Sequence, residues 1–349
     1  MKKISKILTL VLALCMVLAL AACGSSAAPA ATTAPAVDGD AAADTGAAAP
    51  AIDWPKKNVT IIVGYGAGGD TDLAARVLAD ALSNKLGANF VVNNLAGGSG
   101  VVGRTELLAN DGDGYTLMFD QPGSPITQVL MGNTTYELDE AGTPIAVVGV
   151  SPCALCVKKD NALGINNMDD LIAYAQANPG KLTYAIPGQF TSAHLAALNA
   201  FSALGVEATS VSTDGTATCV TEVLGSHVDA MIVPLSGAQQ YIASGDMILV
   251  GLSAPSDFAP DAPLLSAYEG VSDYNTWYSI WGGNGMDPAL AQYISEQIGA
   301  VLEDEALAKS LADLGIEVQF QDYAATVETA NNYRTIIKDA LVAGGALSE

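Results

Sequence analysis

The strongest constraint on the fold is an alternation in which short β-branched runs lead through glycine-rich turns into stretches with apolar residues at helical spacing. Val59 to Val63 is the first run, and the turn is Gly64-Tyr65-Gly66-Ala67-Gly68-Gly69-Asp70-Thr71-Asp72. Thr71 to Leu86, with Leu73, Val77, Leu78, Ala81 and Leu82 on one face, is the helix. A strand over Phe90 to Val92, a second turn at Gly97-Gly98-Ser99-Gly100, a helix to about Ala109 and a strand over Thr116 to Phe119 repeat the unit. Strands that return through helices lie parallel, with both faces covered. Further on the same reading predicts helices over Met168 to Ala177, Ser192 to Leu204 and Ala217 to Leu224, and strands over Leu182 to Ile186, Ala208 to Val211 and Ala230 to Val233. Met247 to Leu252 and Thr276 to Trp281 read as further strands, and amphipathic helices over Pro288 to Leu302 and Ala324 to Ala343 close the chain. The fold class is α/β, in two lobes joined by long strands, with a cleft between them where ligand sites form.

The N-terminus sets the compartment. Met1-Lys2-Lys3 and Lys6 form a basic region ahead of the apolar run Ile7 to Leu20, which is shorter than a bilayer span of about 20 residues. Leu20-Ala21-Ala22-Cys23-Gly24 is similar to a bacterial lipobox, so residues 1–22 read as a signal peptide and Cys23 as the lipidated mature N-terminus. Residues 23–52 are dominated by Ala, Gly, Thr, Pro and Asp, a composition that cannot offset the entropy of ordering and reads as a flexible tether. The globular body then divides into a first part of lobe 1 (53–150), lobe 2 (151–275) and a return to lobe 1 with the C-terminal helices (276–349).

Charge and motif searches exclude several functions. Loss of Lys2, Lys3 and Lys6 with the signal peptide takes the formal charge from −23 to −26, a surface that repels nucleic acid. The same charge gives no general attraction for an anionic solute, so an anion site must be built from local dipoles. Cys153-Ala-Leu-Cys156 has the spacing of a redox pair, but it lies in the β-rich run Ile145 to Lys158, where positions three apart face opposite sides. Buried free thiols are expected, and no metal or cofactor site is expected.

Gly64, Gly66 and Gly69 fit G-x-G-x-x-G at a helix start, which makes an anion site and raises a nucleotide-dependent enzyme as the alternative function. The acidic residue that would grip a ribose is replaced by Asn93-Asn94. Gly97-Gly98-Ser99-Gly100 departs from the nucleophile-elbow spacing at Val101, and His194 and His227 are the only histidines. His194 is expected to buttress a loop and His227 to be solvated.

Trp54-Pro55-Lys56-Lys57, Ala67-Gly68-Gly69 and Thr71-Asp72-Leu73-Ala74-Ala75-Arg76 resemble the opening of the tripartite tricarboxylate transporter receptors, also called Bug receptors. The similarity continues through Val92 to Gly103, Asp113-Gly114-Tyr115-Thr116-Leu117, Tyr184-Ala185, Ser192-Ala193-His194-Leu195, Leu224-Gly225, Val228-Asp229, Trp277-Tyr278 and Leu314-Gly315. The resemblance implies a type II periplasmic-binding-protein fold with crossing strands, no reaction, and capture of a small organic carboxylate for secondary uptake. It also implies one large and one small integral-membrane partner, on the outer face of the cell membrane.

Carried onto this chain, the implied ligand loops are Ala67, Gly68, Gly69, Asp70, Thr71 and Asp72, preceded by Tyr65, together with Gly98, Ser99 and Gly100 in lobe 1. In lobe 2 they are Pro187, Gly188, Ser192 and His194, with Thr213, Asp214, Gly215 and Thr216. Leu95-Ala96 replaces a common Arg-Pro pair and Asp70 a common glycine, which weakens the case for an all-anionic ligand. If Asp70 faces the cleft, a zwitterionic or cation-paired acid is expected; if it only favours the helix dipole, the solute's charge type stays open.

Overall fold

The computed structural model describes residues 52–121, 123–343 and 347. The signal peptide, Cys23 and nearly all of the tether lie outside the described residues.

The first sheet is built around β1 (Val59–Val63), flanked in parallel by β2 (Phe90–Asn94) and β3 (Thr116–Asp120). Val59, Ile61, Ile62 and Val63 of β1 are buried, as a central strand covered on both faces requires. Each such side chain contributes on the order of 1.5–3 kcal/mol by leaving water. Helices α1 (Asp70–Leu86), α2 (Val101–Leu108) and α3 (Gly123–Leu130) follow the three strands in turn.

β4 (Thr143–Lys158) holds the molecule together. Its first half pairs antiparallel with β9 (Asn275–Gly282) and with β10 (Glu317–Gln321), while its second half pairs with β7 (Ala230–Pro234) and β8 (Met247–Leu252). β9 continues the first sheet onto β3. In the second sheet β5 (Leu182–Ile186) lies parallel between β7 and β6 (Ala208–Ser212). Helices α4 (Met168–Ala177), α5 (Ser192–Ala203), α6 (Thr216–Leu224) and α7 (Leu235–Ser244) cover it. α8 (Pro288–Leu302), α9 (Glu305–Asp313) and α10 (Tyr323–Ala343) return to the first lobe. The order across both sheets is β2-β1-β3-β9-β4-β7-β5-β6.

Each lobe has its own core. Val59, Leu78, Phe119, Ile280 and Ile298 belong to the first, and Leu155, Leu182, Ile186, Ala197 and Ile232 to the second. Cys153 faces the side of β4 packed with Leu155 and Val157, whereas Cys156 faces the opposite cluster with Ala154. The two thiols therefore diverge, and burial pushes each up to about 12.

Candidate functional site

Four βα turns meet at the C-terminal ends of parallel strands: Gly64–Gly69 after β1, Leu95–Gly100 after β2, Pro187–Thr191 after β5 and Thr213–Gly215 after β6. That end of an α/β sheet is where the following helices aim their N-termini, and ligands bind there for that reason. Between the turns lies a cavity of about 370 Å³. Gly64 and Tyr65 line it from the first turn, Gly97, Gly98 and Ser99 from the second with Val101 and Val102 of α2, Pro187 and Gln189 from the third, and Thr213 and Asp214 from the fourth with Ser212 at the end of β6. Gln128 of α3 and Asn133 complete the wall.

The second turn is conformationally costly. Gly97, Gly98 and Gly100 have φ of 140°, 57° and 92°, and Ser99 joins them at φ 55°, in the left-handed region that a side chain disfavours. The reversal leaves the Gly98 and Ser99 amides without a hydrogen-bond acceptor among the described residues, on the cavity wall and at the positive end of α2. Backbone donors of this kind attract a carboxylate without any cationic side chain.

α2 is anchored from behind. Arg104, wholly buried, donates Nη2 to Asp120 Oδ2 at 2.6 Å and Nη1 to the Ala141 carbonyl at 2.9 Å, and its guanidinium lies 4.5 Å from the Trp281 ring. Ser124 Oγ donates to the Ser99 carbonyl and holds the turn to α3.

The turns of the two lobes touch. The Gly66 amide donates to the Asp214 carbonyl at 3.0 Å, and Gln128 Nε2 donates to the Gln189 carbonyl at 2.6 Å. Gly188 has φ +149°, and a Cβ there would lie 2.6 Å from Ser99 Oγ, so glycine permits the close approach of the third turn to the second.

The structure brings Tyr65, Gly98, Ser99, Pro187, Thr213 and Asp214 to the cavity wall. The other expected contacts lie off that wall. The Asp72 carboxylate accepts from the Gly68 amide at 2.8 Å and pairs with Arg76 at 2.8 Å. Burial opposes its ionisation, but hydrogen bonds from Arg76, the Gly68 amide and Asn94 outweigh that and hold the carboxyl below its ordinary range. Asp72 thus shapes the first turn from within. Ala67 is exposed, and Gly68, Gly69, Asp70 and Thr216 border a separate cavity of about 90 Å³ where α1 and α6 begin.

Asp70 is 3% exposed and takes Tyr278 Oη at 2.6 Å and Gln121 Nε2 at 3.1 Å. Tyr278 Oη in turn meets Ser236 Oγ at 2.7 Å, at the start of α7. Burial raises the Asp70 carboxyl above its ordinary value. Its Oδ2 therefore ties the start of α1 to the crossing strand β9, and the buried carboxylate lies off the wall of the cavity of about 370 Å³. Thr71 Oγ1 accepts from the same Gln121 amide at 3.0 Å.

Gly100, Gly188 and Gly215 supply backbone conformation, with φ of 92°, 149° and 148°. Ser192 is buried at the start of α5. His194 Nδ1 accepts the Phe190 amide at 2.9 Å, and burial lowers its pKa to about 4, so a neutral imidazole buttresses the third turn. His227 stands exposed 3.3 Å from Glu222.

Gln189 lies within the expected loop of 187–192, whereas Gly64, Gly97, Val101, Val102, Gln128, Asn133 and Ser212 were not among the expected contacts. Gln128 and Asn133 come from a segment with no ligand motif, and the packing of α3 beside the third turn brings them to the cavity.

Comparison with known proteins places these observations. The family model described as "Tripartite tricarboxylate transporter family receptor" matches residues 74–341. Protein BugT of Bordetella pertussis is 29% identical over 268 residues, covering 75% of this chain and 81% of that protein. The structure of periplasmic binding protein BugD is similar with a TM-score of 0.78 at 26% identity, covering 84% of this chain and 99% of that one. A protein of R. palustris solved with adipate shares the fold with a TM-score of 0.78 at 24% identity, over 84% of this chain and 99% of its own.

Proposed function

Because the chain belongs to the tripartite tricarboxylate transporter receptor family, whose members are exported solute-binding receptors and not enzymes, we propose that it captures a small organic carboxylate between its lobes. One observation carries the reading to this chain: the Gly98 and Ser99 amides, with no acceptor among the described residues, on the wall of the cavity between the four turns. They stabilise negative charge through backbone dipoles, and salt screens the acidic surface groups that lie more than about 10 Å away.

Delivery to one large and one small integral-membrane subunit, from a lipid on Cys23, completes the proposal. The family assignment and the Leu20-Ala21-Ala22-Cys23 sequence support it. Calorimetry of the mature protein against mono-, di- and tricarboxylates, adipate included, tests capture. Saturable binding of an organic acid is expected. Binding of a dinucleotide with no acid bound would replace the proposal with the nucleotide reading of the first glycine turn.

A further inference from the structure

The cavity wall has an unusual charge distribution for a site that takes an organic acid. Among the described residues no Lys, Arg or His lies on it, and Asp214 is the one charged residue of its lining. Two arginines on the helices that follow the lobe 1 turns are already committed: Arg104 of α2 to Asp120, and Arg76 of α1 to Asp72. The Asp214 side chain is exposed, and its carboxylate has no salt bridge or hydrogen bond among the described residues. Its backbone carbonyl is fixed to the Gly66 amide across the cleft, so the residue is held at the junction of the lobes.

The two ends of the cavity are therefore chemically opposite. Lobe 1 brings amides with no acceptor among the described residues, which favour an anion; lobe 2 brings Asp214, whose exposed side chain favours a cation. A dicarboxylate seated on the amides would bring its second charge into a cavity of about 370 Å³ that Asp214 also lines, and two like charges within roughly 4–8 Å at the effective dielectric of a protein surface weaken binding by about tenfold or more. An ammonium in the same place converts that repulsion into a charge-assisted hydrogen bond.

We propose that the cavity selects a zwitterionic acid, with the carboxylate on the Gly98–Ser99 amides and the ammonium on Asp214. This rests on the carboxylate-capture reading above and narrows its ligand class. It also moves the origin of selectivity from Asp70, whose carboxylate is internal, to Asp214, which stands on the wall.

The test compares matched pairs that differ by one amino group: succinate with aspartate, glutarate with glutamate, and adipate with 2-aminoadipate. Calorimetry on the full-length mature protein is expected to give at least one amino acid bound about tenfold or more tighter than its partner. Asp214→Asn should abolish that ratio, and Asp214→Lys should reverse it in favour of the plain diacid, with both variants keeping the wild-type melting temperature because the side chain is exposed.

Preference of the wild type for the plain diacid in every pair would overturn the proposal, as would an unchanged ratio in Asp214→Asn, and either result would leave carboxylate capture standing. Failure of every acid to bind would overturn both.

Discussion

Arg104 and Asp120 set the stability of the loop that carries the Gly98 and Ser99 amides. Both side chains are wholly buried, joined at 2.6 Å, and Arg104 also spans to the Ala141 carbonyl and stacks on Trp281. Arg104→Met keeps the volume and the contact with Trp281 but leaves Asp120 as an uncompensated buried charge. Breaking a buried pair from one side costs about 3–5 kcal/mol, and the lost bond to Ala141 adds about 1 kcal/mol. Asp120→Asn keeps an acceptor for Arg104 and should cost less, roughly 2–3 kcal/mol, mainly through the buried guanidinium it leaves unneutralised. The double variant removes both charges, so its cost should fall short of the sum of the single costs by about 2 kcal/mol or more. Urea unfolding of the four proteins measures the cycle. Additive costs within about 0.5 kcal/mol would refute the reasoning, because they would mean that the two charges are separately solvated and do not hold α2 to β3.

Four further outcomes are expected. His194 is depressed to about 4, so its stability contribution is present above the unfolded value of 6.5 and is lost as pH falls from 6.5 through 4. His194→Asn, which keeps an acceptor for the Phe190 amide, should remove about 3 kcal/mol of that pH dependence in unfolding followed between pH 7 and pH 4. Ser99→Gly relieves a side chain at φ 55° and should change stability by at most about +1 kcal/mol, whereas Ser99→Val should lower it by about 1–2 kcal/mol in the same urea assay. Asp70→Asn places an amide against the Gln121 donor and should cost about 1–3 kcal/mol, while the affinity ratio of a diacid to its amino analogue stays unchanged by calorimetry. Cys23→Ser should move the protein from the membrane to the soluble fraction on cell fractionation; retention with unchanged mobility would sink the lipid-anchor reading.

Much of the fold could be read from the chain because its signals are local. The runs Val59–Val63, Met168–Ala177, Leu182–Ile186, Met247–Leu252 and Pro288–Leu302 carry their periodicity within a few residues, and the structure gives them those bounds. α3, α7, α9 and β10 were not expected. α3 begins in a Gly-Ser-Pro segment that reads as a turn, and its burial against α5 and α10 makes it a helix, an instance of packing overriding propensity. The glycine turns were legible as places where a ligand can approach backbone, since a glycine preference for positive φ is written into the residue itself.

Which residues of those turns line the cavity was legible only in part: Tyr65, Gly98, Ser99, Pro187, Thr213 and Asp214 do, and Asp70 does not. Asp70 and Asp214 sit in equivalent positions by sequence, each in a turn that opens a helix. Yet Tyr278, more than two hundred residues away, takes the first inside the protein, while the second is exposed. The sequence determines the alternating architecture because hydrogen-bonded strands and helices are decided by neighbours along the chain. The charge of the binding site is decided by which lobe meets which, and that depends on β4 and β9 crossing between two cores.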